Sequence, residues 1–254
     1  MPGHIHIEAS GDVAVVRIDR PPANALDLDL LAEGDAVRER LAGEEPGAVV
    51  ITGRIGFFSA GMDLKAAPEL SPSEQRQTVD GINRLFSGWY SFPRPVVAAV
   101  NGHAIAGGLI LALCADHRVG CTGEGAKLGL TELRAGIPYP AAAIAVVRAE
   151  LSTATARRLV LGAGLVGPEE ALELGVVDEL RAPDELLPRA LEVASGLASL
   201  PRSTYAAVKR QLRAPAIEAI EKVLSGGAGD PVLGAWVGDE TRAAAASLLP
   251  GGSG

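Results

Sequence analysis

Two stretches of this chain place small residues where a backbone can act on a ligand. The first is Phe57-Phe58-Ser59-Ala60-Gly61-Met62-Asp63-Leu64, the second Asn101-Gly102-His103-Ala104-Ile105-Ala106-Gly107-Gly108. Ser, Ala and Gly let a ligand approach the main chain closely and leave N–H groups free to donate. An N–H left unpaired at a helix start is likewise a donor to developing negative charge. Two such donors from separate strand-to-helix turns would form an oxyanion hole for a thioester or acyl carbonyl. Glycine also serves in turns merely to let elements pack, so either stretch alone fits an architectural role.

The elements that must carry these turns follow from periodicity. Residues 5–8 and 13–19 run apolar or alternate around Ser10-Gly11-Asp12, which predicts an opening β-hairpin, with His4 and His6 as solvent-facing strand residues. Residues 26–41 have helical spacing, with Asp27 and Asp29 at the end where carboxylates suit the dipole. Short strands are expected at 48–52 and 96–100, the second leading into an apolar helix that begins about Leu109. Residues 168–174 read as a helix opened by proline and ended before Gly175, feeding a strand at Val176-Val177. This strand–helix rhythm predicts an α/β fold, with residues 1–200 as the core and the amphipathic stretches of 201–254 as a helical cover or oligomer contact.

Composition narrows the partners. The 254 residues are 48% hydrophobic and 21% charged, enough for one large core. A net charge of −8 and a pI near 5.1, with no cluster of Lys and Arg, argue against nucleic acid or an anionic membrane, although a local anion site remains open. Cys114 and Cys121 with His117 between them are one ligand short of a closed zinc site and read as reduced thiols, with no metal. The N-terminal residues lack a basic segment followed by an apolar one, so the chain is expected to be cytoplasmic.

The order and spacing of the two turns resemble the enoyl-CoA hydratase/isomerase, or crotonase, family. FSAGMDL is similar to that family's first oxyanion turn and AVNGHAIAGG to its second. RPPANAL, residues 20–26, resembles its CoA-contacting segment, LGLTELRAGI, residues 128–137, its later catalytic segment, and 156–180 the stretch that follows. The likeness runs over roughly residues 5 to 200. It implies a spiral of ββα units with a C-terminal helical region and assembly as a homotrimer or dimer of trimers. The substrate would be an acyl-CoA thioester, with no separate cofactor beyond the CoA of the substrate. By position it puts the two oxyanion N–H groups on Met62 and Gly107. Ala23, Ala60, Gly61, Asp63, Leu64, Gly108 and Ile110 would lie along the ligand, and Lys65, Arg20 and Arg54 are candidates for the CoA phosphates.

The family's hydratases carry two glutamates. Here the first position is Ile110 and the second is Glu132. Adding water to a double bond suits two carboxylates, whereas one base suffices to move a proton from C2 to C4 of a 3-enoyl thioester. The text around Glu132 and Ile110 resembles the Δ3,Δ2-enoyl-CoA isomerases in particular. An aliphatic neighbour in place of an acid should also raise the pKa of Glu132. The reading is therefore a double-bond isomerase. A hydratase or another crotonase reaction such as thioester hydrolysis or C–C cleavage, a non-catalytic acyl-CoA binder and a scaffold subunit stand as alternatives. Asp63 is expected to cap the element after its turn, Asp116 to anchor backbone or a neighbouring segment, and His103 to fill its turn.

Overall fold

The computed structural model describes residues 3–63, 69–123, 125–226 and 229–236. Four times in succession two strands are followed by a helix, the repeated ββα unit that the resemblance implies. The units are β1 (Ile5–Ser10), β2 (Val13–Ile18) and α1 (Leu28–Glu44); β3 (Ala48–Thr52), β4 (Gly56–Ser59) and α2 (Pro72–Tyr90); β5 (Val96–Val100), β6 (Gly102–Ile105) and α3 (Gly107–Leu113); and β7 (His117–Cys121), β8 (Leu128–Gly129) and α4 (Ala141–Glu150). The rest of the fold is α5 (Thr153–Ala156), β9 (Leu165–Val166), α6 (Pro168–Glu173), β10 (Glu179–Arg181), α7 (Pro183–Ala198), α8 (Arg202–Leu224) and α9 (Leu233–Trp236).

From the second unit on, the first strand of each unit joins one sheet and the second strand joins another. The larger sheet has the order β1-β2-β3-β5-β7-β10, parallel apart from the opening hairpin. The smaller has the order β4-β6-β8-β9, with β4, β6 and β8 mutually parallel. In β3 and β5 every residue is buried, as expected of parallel strands covered on both faces. Side-chain alternation divides them: Val49, Ile51, Ala98 and Val100 join the main core, while Ala48, Val50, Val97 and Ala99 pack against Leu186, Ala190 and Ala194 of α7.

Several expectations shift. The second glycine-bearing stretch is not one turn, because residues 102–105 pair with β4 and β8 as a strand of their own, and α3 starts at Gly107 rather than Leu109. The strand after α6 is Glu179–Arg181, which pairs with β7, while Val176 and Val177 sit buried in the bend before it. Helix α2 has no counterpart among the expected elements. Its buried Val79, Ile82, Leu85, Phe86 and Trp89 nonetheless stand at helical spacing, and Gly81 on that face lets α1 pack closely, since a methyl group there would lie 3.3 Å from Leu31 Cδ1. Its start is also strongly specified, by Pro72 and a reciprocal Ser71–Glu74 capping box. Asp27 does cap α1, accepting from Leu30 N at 2.9 Å.

Asp116 anchors a neighbour as expected. It accepts from Val96 N at 2.8 Å and from Lys209 Nζ at 2.7 Å, with Arg213 of α8 3.1 Å away. Two cations of the C-terminal helix are thereby buried against the core, where loss of their common carboxylate would strand them. Both cysteines are buried and free, and among the described residues no group of His, Cys, Asp and Glu could hold a metal ion. No helix among them is long and apolar enough to cross a membrane.

Candidate active site

The small sheet explains why the chemistry-bearing stretches meet. Strands β4, β6 and β8 are parallel, with a one-residue bulge in β4 between Phe57 and Ser59 that sets Ser59 beside Ala104, and with Ile105 beside Gly129, so their C-terminal ends deliver Ala60-Gly61-Met62, Ala106-Gly107 and Thr131-Glu132 to one place. There all of these but Gly61 line an apolar cavity of about 150 Å³, together with Leu26, Phe86, Ile110 and Tyr139. The structure thus unites five of the residues singled out from sequence: Ala60, Met62, Gly107, Ile110 and Glu132.

The first turn is held open by Asn24. This side chain is fully buried and donates to Ile18 O at 2.9 Å and Phe58 O at 3.0 Å, while the main-chain carbonyl of Asn24 accepts from Ser59 Oγ at 2.7 Å. Leu26 N then donates to Gly61 O (2.7 Å) and Asp63 N to Leu26 O (2.9 Å), a parallel bridge between Leu26 and Met62. In an extended chain successive N–H groups point to opposite sides, so this pairing turns the N–H of Met62 away from Leu26.

The second donor stands beside it. A methyl group on Gly61, whose φ is +77°, would lie 2.9 Å from Gly107 N and 2.7 Å from Ile105 O. Gly107 is the first residue of α3, where the N–H has no acceptor within the helix, and Ala106 before it takes φ 51°, ψ −127°, a strained conformation for a residue with a Cβ. The two glycines of this turn have different tasks. A Cβ on Gly107 would meet the cavity residues Leu26 and Phe86 at 3.2 and 3.6 Å, whereas one on Gly108 would lie 2.1 Å from Ser59 O. Gly108 is buried and therefore admits β4, not the ligand, which corrects its expected place.

Glu132 opens a 3₁₀ turn, Glu132–Ala135, and is 8% exposed. Burial pushes its carboxyl from the ordinary 4.5 up to about 7, against the opposing hydrogen bond from Tyr139, whose Oη donates to Glu132 Oε2 at 2.7 Å. Burial raises the phenol of Tyr139 too, so it stays a donor throughout the neutral range. Ile110, 1% exposed, presents hydrocarbon where a second acid would stand. Among the described cavity residues the ionisable groups are Glu132 and Tyr139.

Other expected contacts fall elsewhere. Ala23 meets the turn through its carbonyl, which accepts from Ala60 N at 3.0 Å. Arg20 is not left for phosphate: its guanidinium is shared among Asp27, Asp63 (3.4 Å) and Ala25 O (3.2 Å), and it braces the 20–27 segment to the turn. Arg54 pairs with Asp19 at 3.2 Å and donates to Pro22 O. The next described helix after Asp63 is capped by Ser71, and Leu64 and Lys65 lie outside the described residues. His103 accepts from Lys127 N and packs near Phe57, off the cavity wall, but it stands in β6 opposite Phe57 of β4 and so is a strand residue, not the turn filler expected. Sequence reasoning missed Asn24, Tyr139 and Trp236. Tyr139 lies two residues past the LGLTELRAGI stretch, and only the fold shows that it returns to Glu132.

Repeated ββα units that split their strands between two sheets in this way are the crotonase fold. A family model described as enoyl-CoA hydratase/isomerase matches residues 8–228, and the chain belongs to that family of enzymes. A probable enoyl-CoA hydratase of Mycobacterium avium, echA17, is 33% identical over 198 residues, 78% of this chain and 76% of the relative. A Mycobacterium tuberculosis protein, called a probable enoyl-CoA hydratase in one structure and an enoyl-CoA isomerase in another, superposes with TM-scores of 0.83 and 0.81. It is 31% and 30% identical, and each match spans 89% of this chain, with 94% and 98% of the other covered. Human mitochondrial Δ3-Δ2-enoyl-CoA isomerase shares the fold with a TM-score of 0.86 at 24% identity, over 95% of both chains.

Proposed function

We propose that the protein shifts the double bond of an acyl-CoA thioester from Δ3 to Δ2, using no cofactor beyond the CoA carried by its substrate. The observation that carries this reading is that Glu132 is the one carboxyl among the described cavity residues, placed with Ile110 and the two backbone donors around one apolar space. Ionised Glu132 takes a proton from C2. The electrons of that C–H bond form a dienolate, whose oxygen is stabilised by the N–H groups of Met62 and Gly107. Glu132 then returns the proton at C4, the carbonyl reforms, and the double bond stands between C2 and C3. No water enters the balance, which suits a site walled by Leu26, Phe86 and Ile110.

Two expected outcomes test the role of the base. Because Glu132 must be ionised to start, kcat/KM for a 3-enoyl-CoA falls as pH drops through about 7, approaching about tenfold per pH unit in the acid limb. Tyr139→Phe removes a hydrogen bond that holds that carboxyl down, so the midpoint moves to higher pH by about one unit. A pH–rate profile of both proteins reads this directly, and an unchanged midpoint in the variant contradicts it.

The hydratase reading rests on the relatives' names, since the Mycobacterium avium relative is called a hydratase. Product analysis with paired 2-enoyl- and 3-enoyl-CoA esters separates the two. Conversion of 3-enoyl to 2-enoyl without 3-hydroxyacyl-CoA supports isomerisation, and faster formation of 3-hydroxyacyl-CoA from the 2-enoyl ester overturns it. Assembly as a trimer or dimer of trimers is part of the same proposal. Val208 and Leu212 are exposed four positions apart on α8, a spacing that puts both on one helix face for a neighbour to cover.

A further inference from the structure

The C-terminal end of the described chain reaches back into the site. Trp236, at the end of α9, lines the same cavity as Glu132 and is 7% exposed. Its indole Nε1 donates to Pro138 O at 2.9 Å, one residue before the tyrosine that holds Glu132. An amphipathic side chain anchored by its N–H presents a fixed apolar face to whatever shares the cavity.

A second contact, six residues earlier, fixes where that indole sits. Asp230 is 4% exposed, and its Oδ2 accepts from Asn83 Nδ2 of α2 at 2.9 Å and from Ala141 N of α4 at 2.7 Å. Its Oδ1 accepts from Val232 N at 3.1 Å. Asn83, itself fully buried, completes the joint by accepting from Ala142 N at 2.9 Å. Helix α4 has no capping side chain at its own N-cap, Pro140, so Asp230 and Asn83 supply acceptors for its first N–H groups, with negative charge at the favourable end of the dipole. A carboxylate so buried and so bonded does not let go cheaply. The segment is therefore a fixed wall of the cavity between α2 and α4.

We propose that residues 229–236 set the acyl size this protein accepts, with Trp236 as the wall that stops the chain and Asp230 as the residue that positions it. This rests on the acyl-CoA reading above and deepens it. A cavity of about 150 Å³ is the size that takes up a benzene molecule, so the acyl group accommodated has about six carbons or fewer. A long unbranched chain would have to displace the indole and break the Asp230 joint.

The test is equilibrium binding of saturated butanoyl-, hexanoyl- and dodecanoyl-CoA, which cannot isomerise, so the readout does not depend on the double-bond chemistry. The native protein is expected to bind the two short esters at least about tenfold tighter than dodecanoyl-CoA. In Trp236→Ala, in the milder Trp236→Leu and in Asp230→Ala the short-to-long ratio should fall by about tenfold or more, because the added methylenes then find apolar contact. Equal affinity for short and long esters in the native protein, or a ratio untouched in all three variants, overturns the proposal while leaving the acyl-CoA reading intact. Binding of no ester at any length overturns both.

Discussion

Glu132→Gln is expected to lower isomerisation of a 3-enoyl-CoA by about 10³-fold or more, the scale of losing the sole positioned base, while acyl-CoA binding stays within about threefold. Nothing else on the described cavity wall can take over, since Tyr139 is held protonated by burial and Ile110 has no acid function. Formation of the conjugated thioester measures turnover, and titration with a saturated ester measures binding. Retained turnover removes Glu132 from the mechanism.

The same substitution has an effect on stability whose sign is fixed by the pKa. Glu132 ionises at about 7 in the folded protein and at 4.5 when exposed, so between those values the unfolded chain binds fewer protons than the native one. Stability therefore declines as pH rises from about 4.5 to about 7, by up to about 3 kcal/mol, and the cost is constant above that. Glutamine carries no charge, so the variant should unfold at higher denaturant than the native protein at pH 8 and show little difference at pH 4. Function here opposes stability, as is usual where a carboxylate is kept in an apolar site for its basicity.

Gly61→Ala is the second large effect. At φ +77° an alanine is strained by about 1–3 kcal/mol, and its methyl group would press on Ile105 O at 2.7 Å and Gly107 N at 2.9 Å, both main-chain atoms that cannot swing aside. The bridge that aims the N–H of Met62 runs through Gly61 O, so both donors are displaced together. A loss of about 10²- to 10³-fold in kcat is expected, the scale of removing one oxyanion donor, together with a lower unfolding midpoint. The comparison that isolates catalysis is kcat measured well below that midpoint. A variant with native kcat would show that these N–H groups do not hold the developing charge.

Much of this architecture was legible in the chain. Strands 48–52 and 96–100 stand as read because uninterrupted β-branched and alanine runs of five residues can be buried only between two layers. The first helix begins at Leu28 rather than at Leu26, because Asp27 stands outside it as the cap and not within its first turn. Helix α2 carries both local signals, the Ser71–Glu74 capping box and apolar Val79, Ile82, Leu85, Phe86 and Trp89 at helical spacing, so it too was legible in the chain. A glycine pair looks alike at both positions in one dimension, and only the approach of Ser59 O separates the task of Gly108 from that of Gly107.

The sequence alone determined the strand–helix alternation, the two donor-bearing stretches and the hydrocarbon at Ile110, because each is a local matter of residue type and spacing, and the ββα repeat followed only from the family resemblance those stretches carry. Tertiary structure decided what those residues do to one another. The parallel register of β4, β6 and β8 brings three turns to one cavity, and Tyr139 returns to Glu132. Trp236 arrives from 104 positions beyond Glu132 to form a wall. The physical reason is that burial and hydrogen-bond partnership, which move a carboxyl to about 7 and set the size of a cavity, are sums over neighbours, and neighbours far apart in the chain are chosen only when it folds.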